Sequence, residues 1–356
     1  MKKIFQIALI LVFMLVAIIV VGLIDFNINI SSVSDESVEV EFTAEENSTY
    51  YTLGSLLYSE GLIRSEFWYK VYVKLTRPTK LQAGTYTLNK NMSVKQIINI
   101  LEGGTSSDPN AVNLTFKEGY NIRKIATVIS KNTNNTYDDV LNTLKDTTYI
   151  NELINTYWFL TNDILNSNIY YPLEGYLFPE TYQVSKTNTV KEIFKIMLDQ
   201  TNIILTKYKS SIESSSYTIH QLMTLASIVE LEAANADDRA GVAGVFYNRL
   251  AAGWSLGSDV TTYYGSKIDD FSYSLTSKEL DDCSNSYNTR CTSLAGLPVG
   301  PIDNPGEESL KAVINPTSHN YYYFVADCSG KTYLNYNSAG HNNTINQLKA
   351  AGNWCA

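Results

Sequence analysis

The sequence predicts an α+β protein with a single N-terminal transmembrane helix, a small α+β module, and then a larger mixed α+β domain. Three observations predict it. An apolar run from Ile7 to Ile24 holds no charge and is close to the ~20 residues needed to cross hydrocarbon. Beyond it, short alternating segments are interleaved with helical periodicities. The 356 residues, 44% hydrophobic and 18% charged, leave room for folded units of about 150 residues each and exclude a disordered or multi-span chain. With 27 basic against 36 acidic residues the net charge is −9, so nucleic acid is not an expected partner.

Lys2 and Lys3 precede the apolar run, and Asp25, Asp35, Glu36 and Glu39 follow it. Positive flanks stay inside, which puts a tail of residues 1–6 in the cytoplasm, a span at 7–24, and everything later outside the cell membrane. A cleaved signal peptide is the alternative, but Gly22-Leu23-Ile24-Asp25-Phe26 offers no small-residue cleavage site. Residues 25–37 are polar enough for a linker.

A first module is expected over residues 38–104. Val38, Val40 and Phe42 alternate as a strand, and Tyr51–Ser59 and Arg64–Leu75 carry helical periodicity, with Gly61 stopping the first. Gly84–Leu88 reads as a strand, and Ser93 caps a helix over Val94–Leu101 that Gly103-Gly104 ends. The second domain, residues 105–356, opens with a strand at Ala111–Phe116 and a helix at Ile122–Ile129. The stretch from Tyr137 to Tyr208 is helical apart from Tyr170–Tyr182, where Pro172, Gly175 and Pro179 impose a loop rich in aromatics and carboxylates. Thr218-Ile219-His220-Gln221 is a capping box that opens a helix apolar nearly all round, hence buried. Asp237–Ala252 is the next helix and Gly253 its end, after which Ser258–Thr262 reads as extended or loop. A short helix from Asn304-Pro305 to Asn315, a hairpin of Tyr321–Ala326 with Thr332–Tyr336, and a helix at Ala339–Lys349 complete the chain.

Cys283, Cys291, Cys328 and Cys355 all fall in the last quarter. An even count outside the membrane fits disulfides, and the short local loops favour Cys283–Cys291 with Cys328–Cys355. No spacing supports a metal, and no cofactor is expected.

Glu230 lies near the C-terminal end of the buried helix, between Val229 and Leu231. A carboxylate there is desolvated, which favours the protonated form that a general acid needs. A partner arginine, Arg239 or Arg249, would instead make it a satisfied core residue. Glu232 competes for the role, pointing about 200° round the helix from Glu230, so one of the two faces a cleft. Gly253-Trp254-Ser255-Leu256-Gly257 fits G-x-S-x-G, yet that motif needs a strand before and a helix after, and here a helix precedes it.

Five ordered stretches together resemble the MltG/YceG family of endolytic murein lytic transglycosylases. They are Leu173–Tyr182, Ala226-Ser227-Ile228-Val229-Glu230, Val242–Leu250, Tyr287-Asn288-Thr289 and Gly296–Gly306. Ala83-Gly84-Thr85-Tyr86 and Met92-Ser93 are similar to the family's LysM-like subdomain. Leu231, Val260 and Arg290 depart from the family's usual lysine, proline and aromatic residue. The resemblance implies a single-span bacterial envelope protein that cuts peptidoglycan glycan strands internally, with Glu230 as the catalytic acid/base. Candidates for binding the sugars are Glu174, Glu180, Ser258, Asp259, Tyr287, Asn288 and Thr289. Cell-wall synthases and division or elongation proteins are the protein partners that fit such a place. Two alternatives stand beside this reading: a non-catalytic peptidoglycan-binding scaffold, and a hydrolytic muramidase, which needs a second carboxylate such as Glu174 or Asp259.

Overall fold

A computed structural model describes residues 21–45, 48–79, 81–103, 110–293 and 295–355. The apolar run expected to span a membrane lies, up to residue 20, outside the described residues. Among those described, no helix is long and apolar enough to cross one. The chain forms two compact units, Met1–Ala111 and Val112–Ala356, and both mix helix with strand.

In the first unit, residues 21–30 are helical (α1). Strand β1 (Glu39–Ala44) pairs antiparallel with β2 (Gly84–Asn89), setting Phe42 opposite Tyr86 and Ala44 opposite Gly84. The alternation read at Val38–Phe42 puts Phe42 and Ala44 inward, where they meet α2 (Tyr50–Ser59), α3 (Glu66–Thr76) and α4 (Val94–Gly103). The Thr49 capping box starts α2, and the Tyr69 hydroxyl on α3 donates to the Tyr50 carbonyl at 2.9 Å.

The second unit opens with β3 (Ala111–Thr115), paired with β4 (Thr181–Ser185), and α5 (Ile122–Asn132). Helices α6 (Tyr137–Thr143), α7 (Thr147–Thr156), α8 (Val190–Lys207) and α9 (Lys209–Glu213) follow. At the centre stands α10 (Ile219–Glu232), opened by the Thr218–Gln221 capping box and buried continuously from Leu222 to Val229. It packs on α11 (Ala236–Ala251), α12 (Asp259–Gly265) and α14 (Glu307–Ile314). The short α13 (Ser277–Leu280), the antiparallel hairpin of β5 (Tyr323–Ala326) with β6 (Thr332–Asn335), and α15 (Ser338–Ala350) close the unit. Disulfides join Cys283 to Cys291 and Cys328 to Cys355, the pairing that the short loops favour.

Two expectations are corrected. Thr181 and Tyr182, read as the end of a loop, and residues 183–185, read as helical, form β4, because β3 supplies a pairing edge distant in sequence. Ser258–Thr262, read as extended or loop, instead leads into helix α12, with extended backbone only at the N-cap Ser258. Its β-branched residues suggest a strand, but the Thr261 hydroxyl donates back to the Ser258 carbonyl (2.7 Å) within the first turn, and the Thr262 hydroxyl donates to Asn288 Oδ1 (2.8 Å), tying the helix to that segment. The G-x-S-x-G segment therefore joins two helices, with no strand before it.

The 170–182 loop is threaded through the core. Tyr176 is fully buried, its hydroxyl 2.9 Å from His220 Nδ1 and its carbonyl accepting from Thr201 at 2.6 Å. Gly175 has φ +86°, and a Cβ there would sit 2.4 Å from Pro301, so only glycine admits this crossing.

Candidate active site

Helix α10 delivers two carboxylates, and they meet different surroundings. Glu230 points into the protein, its side chain 6% exposed. One oxygen accepts from Arg239 Nη2 at 2.8 Å; the other accepts from the Gly306 N–H at 3.0 Å and from Ser309 Oγ at 2.8 Å. Both oxygens are thus engaged, and the residue ties α10 to α11 and to the N-terminus of α14. Arg239 also stands 3.8 Å from Glu118, whose pKa is raised by burial and by the charge of Glu230. Asp303 is buried close by. Neither of its carboxylate oxygens finds a hydrogen bond among the described residues, and burial, with Glu230 and Glu174 nearby, raises its pKa well above the usual range.

Glu232, the last residue of α10, turns the other way and lines a cavity of about 420 Å³. Ser258 Oγ donates to its Oε1 at 2.6 Å, and among the described residues Oε2 accepts no hydrogen bond. Desolvation raises the pKa of Glu232, and Asp259 raises it further; the Ser258 hydrogen bond and the charges of Arg249 and Arg290 oppose this. A half-buried carboxylic acid at a cavity wall, with one oxygen held and the other open, can give and take a proton.

The rest of the cavity comes from distant parts of the chain. Arg249 on α11 donates to the carbonyls of Tyr322 (2.7 Å) and Leu256, and lies over the Tyr323 ring. Trp254, 44% exposed, stands 5.1 Å from the Tyr322 ring and offers a flat apolar face of the kind that sugar rings stack on. Asp259 and Arg290 pair at 3.0 Å on the rim. His341 on α15 lines the same space, its pKa lowered by burial and by Arg249, and its Nδ1 has no partner among the described residues. A larger hollow of about 710 Å³ has, among the described residues, only Asp163 for a carboxylate, and that residue is exposed.

Of the residues expected to bind sugar, Ser258 and Asp259 reach this cavity. Asn288 and Thr289 lie beneath it, both 2% exposed. Asn288 Nδ2 donates to the carbonyls of Glu279, Leu280 and Asp282, and Thr289 Oγ1 accepts from the Ser258 N–H at 3.1 Å. They hold the wall that carries Ser258 and Arg290. Tyr287 is buried against Tyr170 and Tyr264. Glu174, 1% exposed, accepts from the Ile122 N–H, the Tyr264 hydroxyl and Asn304 Nδ2, and burial pushes its pKa up to about 8. Glu180 is exposed just before β4 and does not line the cavity. Sequence reasoning offered Arg249 as a partner for Glu230 rather than as a neighbour of Glu232, and missed Trp254, Tyr323 and His341 as neighbours of the acid. Only Trp254 carried a local signal, a large aromatic just after a helix-ending glycine.

The YceG-like family matches residues 42–347 of this chain. The endolytic murein transglycosylase of Bacillus subtilis is 34% identical over 310 residues, covering 86% of this chain and 84% of that protein. The endolytic murein transglycosylase of Streptococcus pneumoniae is 31% identical over 311 residues, covering 84% of this chain and 56% of the longer relative. The crystal structure of a yceG-like protein from Listeria monocytogenes superposes with a TM-score of 0.61 at 32% identity, over 87% of this chain and all of that one.

Proposed function

The chain belongs to the YceG-like family, and from that premise we propose that it is an endolytic murein transglycosylase with Glu232 as its acid/base. One observation carries the choice of residue: Glu232 opens onto the cavity with an uncommitted oxygen, whereas both oxygens of Glu230 are engaged inside the protein.

Protonated Glu232 donates from Oε2 to the oxygen linking N-acetylmuramic acid to N-acetylglucosamine, and an oxocarbenium-like centre develops at C1. The resulting carboxylate, kept in place by Ser258, takes the proton of the sugar's own C6 hydroxyl as that oxygen attacks C1. The product is a 1,6-anhydro ring, and no water is consumed. An attacking group already bound to the same sugar gains from proximity, so one carboxyl suffices. Trp254 and Tyr323 supply faces for the sugar rings; Ser258, Asp259 and Arg290 supply polar contacts at the wall.

The remaining reading follows from the sequence. Residues 7–24 anchor the protein once in the bacterial cell membrane with the N-terminus cytoplasmic. Residues 38–104 form a LysM-like subdomain, and residues 105–356 act on glycan strands outside, in the company of cell-wall synthases and division or elongation proteins. Asp259, on the same cavity as Glu232, is the observation that favours a hydrolytic second reading. Mass spectrometry of digested glycan strands separates the two. Anhydro-muramic ends are the expected result; reducing ends that vanish in Asp259→Asn would instead establish hydrolysis, and glycan binding without cleavage would leave the scaffold.

A further inference from the structure

Helix α3 of the first unit carries an apolar stripe that its own core does not use. Phe67, Val71 and Leu75 are spaced four apart and so share a face, with Phe67 65% and Leu75 70% exposed. Singly exposed apolar residues are ordinary on a soluble surface. This stripe differs in what lies beside it.

The neighbouring face of α3 holds α1. Phe26 of α1 meets the Trp68 ring edge-on at 5.5 Å and stacks on Tyr72 at 6.4 Å, and Trp68 Nε1 donates to Asp25 Oδ2 at 2.8 Å. Asp25 is the first charged residue after the apolar run Ile7–Ile24. Phe26 follows Ile24 by two residues, about 3 Å of helix rise. The chain after α1 is fastened to the same unit: Ile30 packs on its core, and Arg64 donates to the carbonyls of Ser32 (2.8 Å) and Val33 (3.2 Å). Trp68 is therefore fixed within a few ångströms of the level at which the apolar run ends.

We propose that α3 lies on the outer surface of the membrane, with Phe67, Val71 and Leu75 sunk among the lipid headgroups and Trp68 at the interface. The occupant of the stripe is thus the bilayer. Residue types agree with that depth. Aromatic rings with one polar edge collect at membrane interfaces, and Lys74 and Arg77, exposed at the end of α3, carry long stems that reach phosphate level. The inference rests on the reading that residues 7–24 span the membrane.

The test uses the full chain in vesicles of phosphatidylcholine and phosphatidylglycerol, prepared with plain or brominated acyl chains. Bromine quenches tryptophan emission at short range, and Trp68 is the chain's single tryptophan before Trp158. The expected result is a loss of emission in brominated vesicles that disappears in Trp68→Phe, and that falls at least twofold in Phe67→Ser/Leu75→Ser while Trp68 is retained. The Trp68→Phe variant keeps an aromatic ring against Phe26, so the unit still folds. A chain that survives an alkaline wash in the membrane pellet but shows no Trp68-dependent quenching overturns the inference and leaves the anchor intact. A chain removed by the wash overturns the anchor, and the inference with it.

Discussion

Glu230 and Glu232 stand two residues apart on α10 and serve opposite sides of it: Glu230 is clasped by Arg239, Gly306 and Ser309 inside the protein, and Glu232 is held by Ser258 at a cavity wall. Two residues of helix turn by about 200°, so one segment supplies both a fastening and an acid. The fastening fixes the last turn of α10 against α11 and α14, and with it the position of the acid.

Glu230→Ala should destabilise the second unit by about 3–5 kcal/mol, since it leaves the guanidinium of Arg239 buried without its partner. Urea unfolding followed by far-UV circular dichroism measures this. A loss under about 1 kcal/mol would mean that the pair does not hold α10.

The pH dependence of cleavage should report the surroundings of Glu232. The acid must be protonated, so the rate falls as pH rises through its raised pKa. The Ser258 hydrogen bond lowers that pKa, so Ser258→Ala should move the alkaline limb to higher pH. Asp259 raises it, so Asp259→Asn should move the limb to lower pH. Rate profiles of the three proteins check both signs, and shifts in the same direction would contradict the assignment.

Stability should carry the mark of Glu174. Its folded-state pKa, about 8, lies above the ordinary glutamate value of 4.5, so the folded protein binds the proton more tightly than the unfolded chain does. The contribution is complete below about pH 4.5 and is lost as pH rises through about 8. Glu174→Gln should therefore flatten the decline in melting temperature between pH 5 and pH 8. An unchanged slope would place the titration elsewhere.

Asn288→Ala should cost at least about 2 kcal/mol, because three backbone carbonyls lose their common donor beneath the cavity. Cleavage should weaken along with stability, as the same loop carries Arg290. A variant that keeps full stability and loses only glycan affinity would restore Asn288 as a sugar contact.

Much of this arrangement was legible in the sequence because it is local. The capping box at Thr218, the apolar circuit of α10 and the short cysteine loops all read correctly from residues close together. Helix α12 did not, because its N-cap residue, Ser258, makes no cap hydrogen bond and spends its hydroxyl on Glu232. Which glutamate faces the cavity was undecidable for a related reason. Both are flanked by small and apolar residues, and of the partners that separate them only Arg239, nine positions from Glu230, is near in sequence, while Gly306, Ser309 and Ser258 lie 26 to 79 positions away. His341 and Tyr323 reach the cavity from the last helix and hairpin, a placement set by tertiary packing alone.

The most direct test digests purified glycan strands with wild type, Glu232→Gln and Glu230→Gln, counting 1,6-anhydro-muramic ends by mass spectrometry per folded molecule. Glu232→Gln should lose cleavage by about 10²-fold or more while staying folded, and folded Glu230→Gln should still cut. Sustained cleavage by Glu232→Gln, with none by folded Glu230→Gln, would contradict this and return the acid to Glu230.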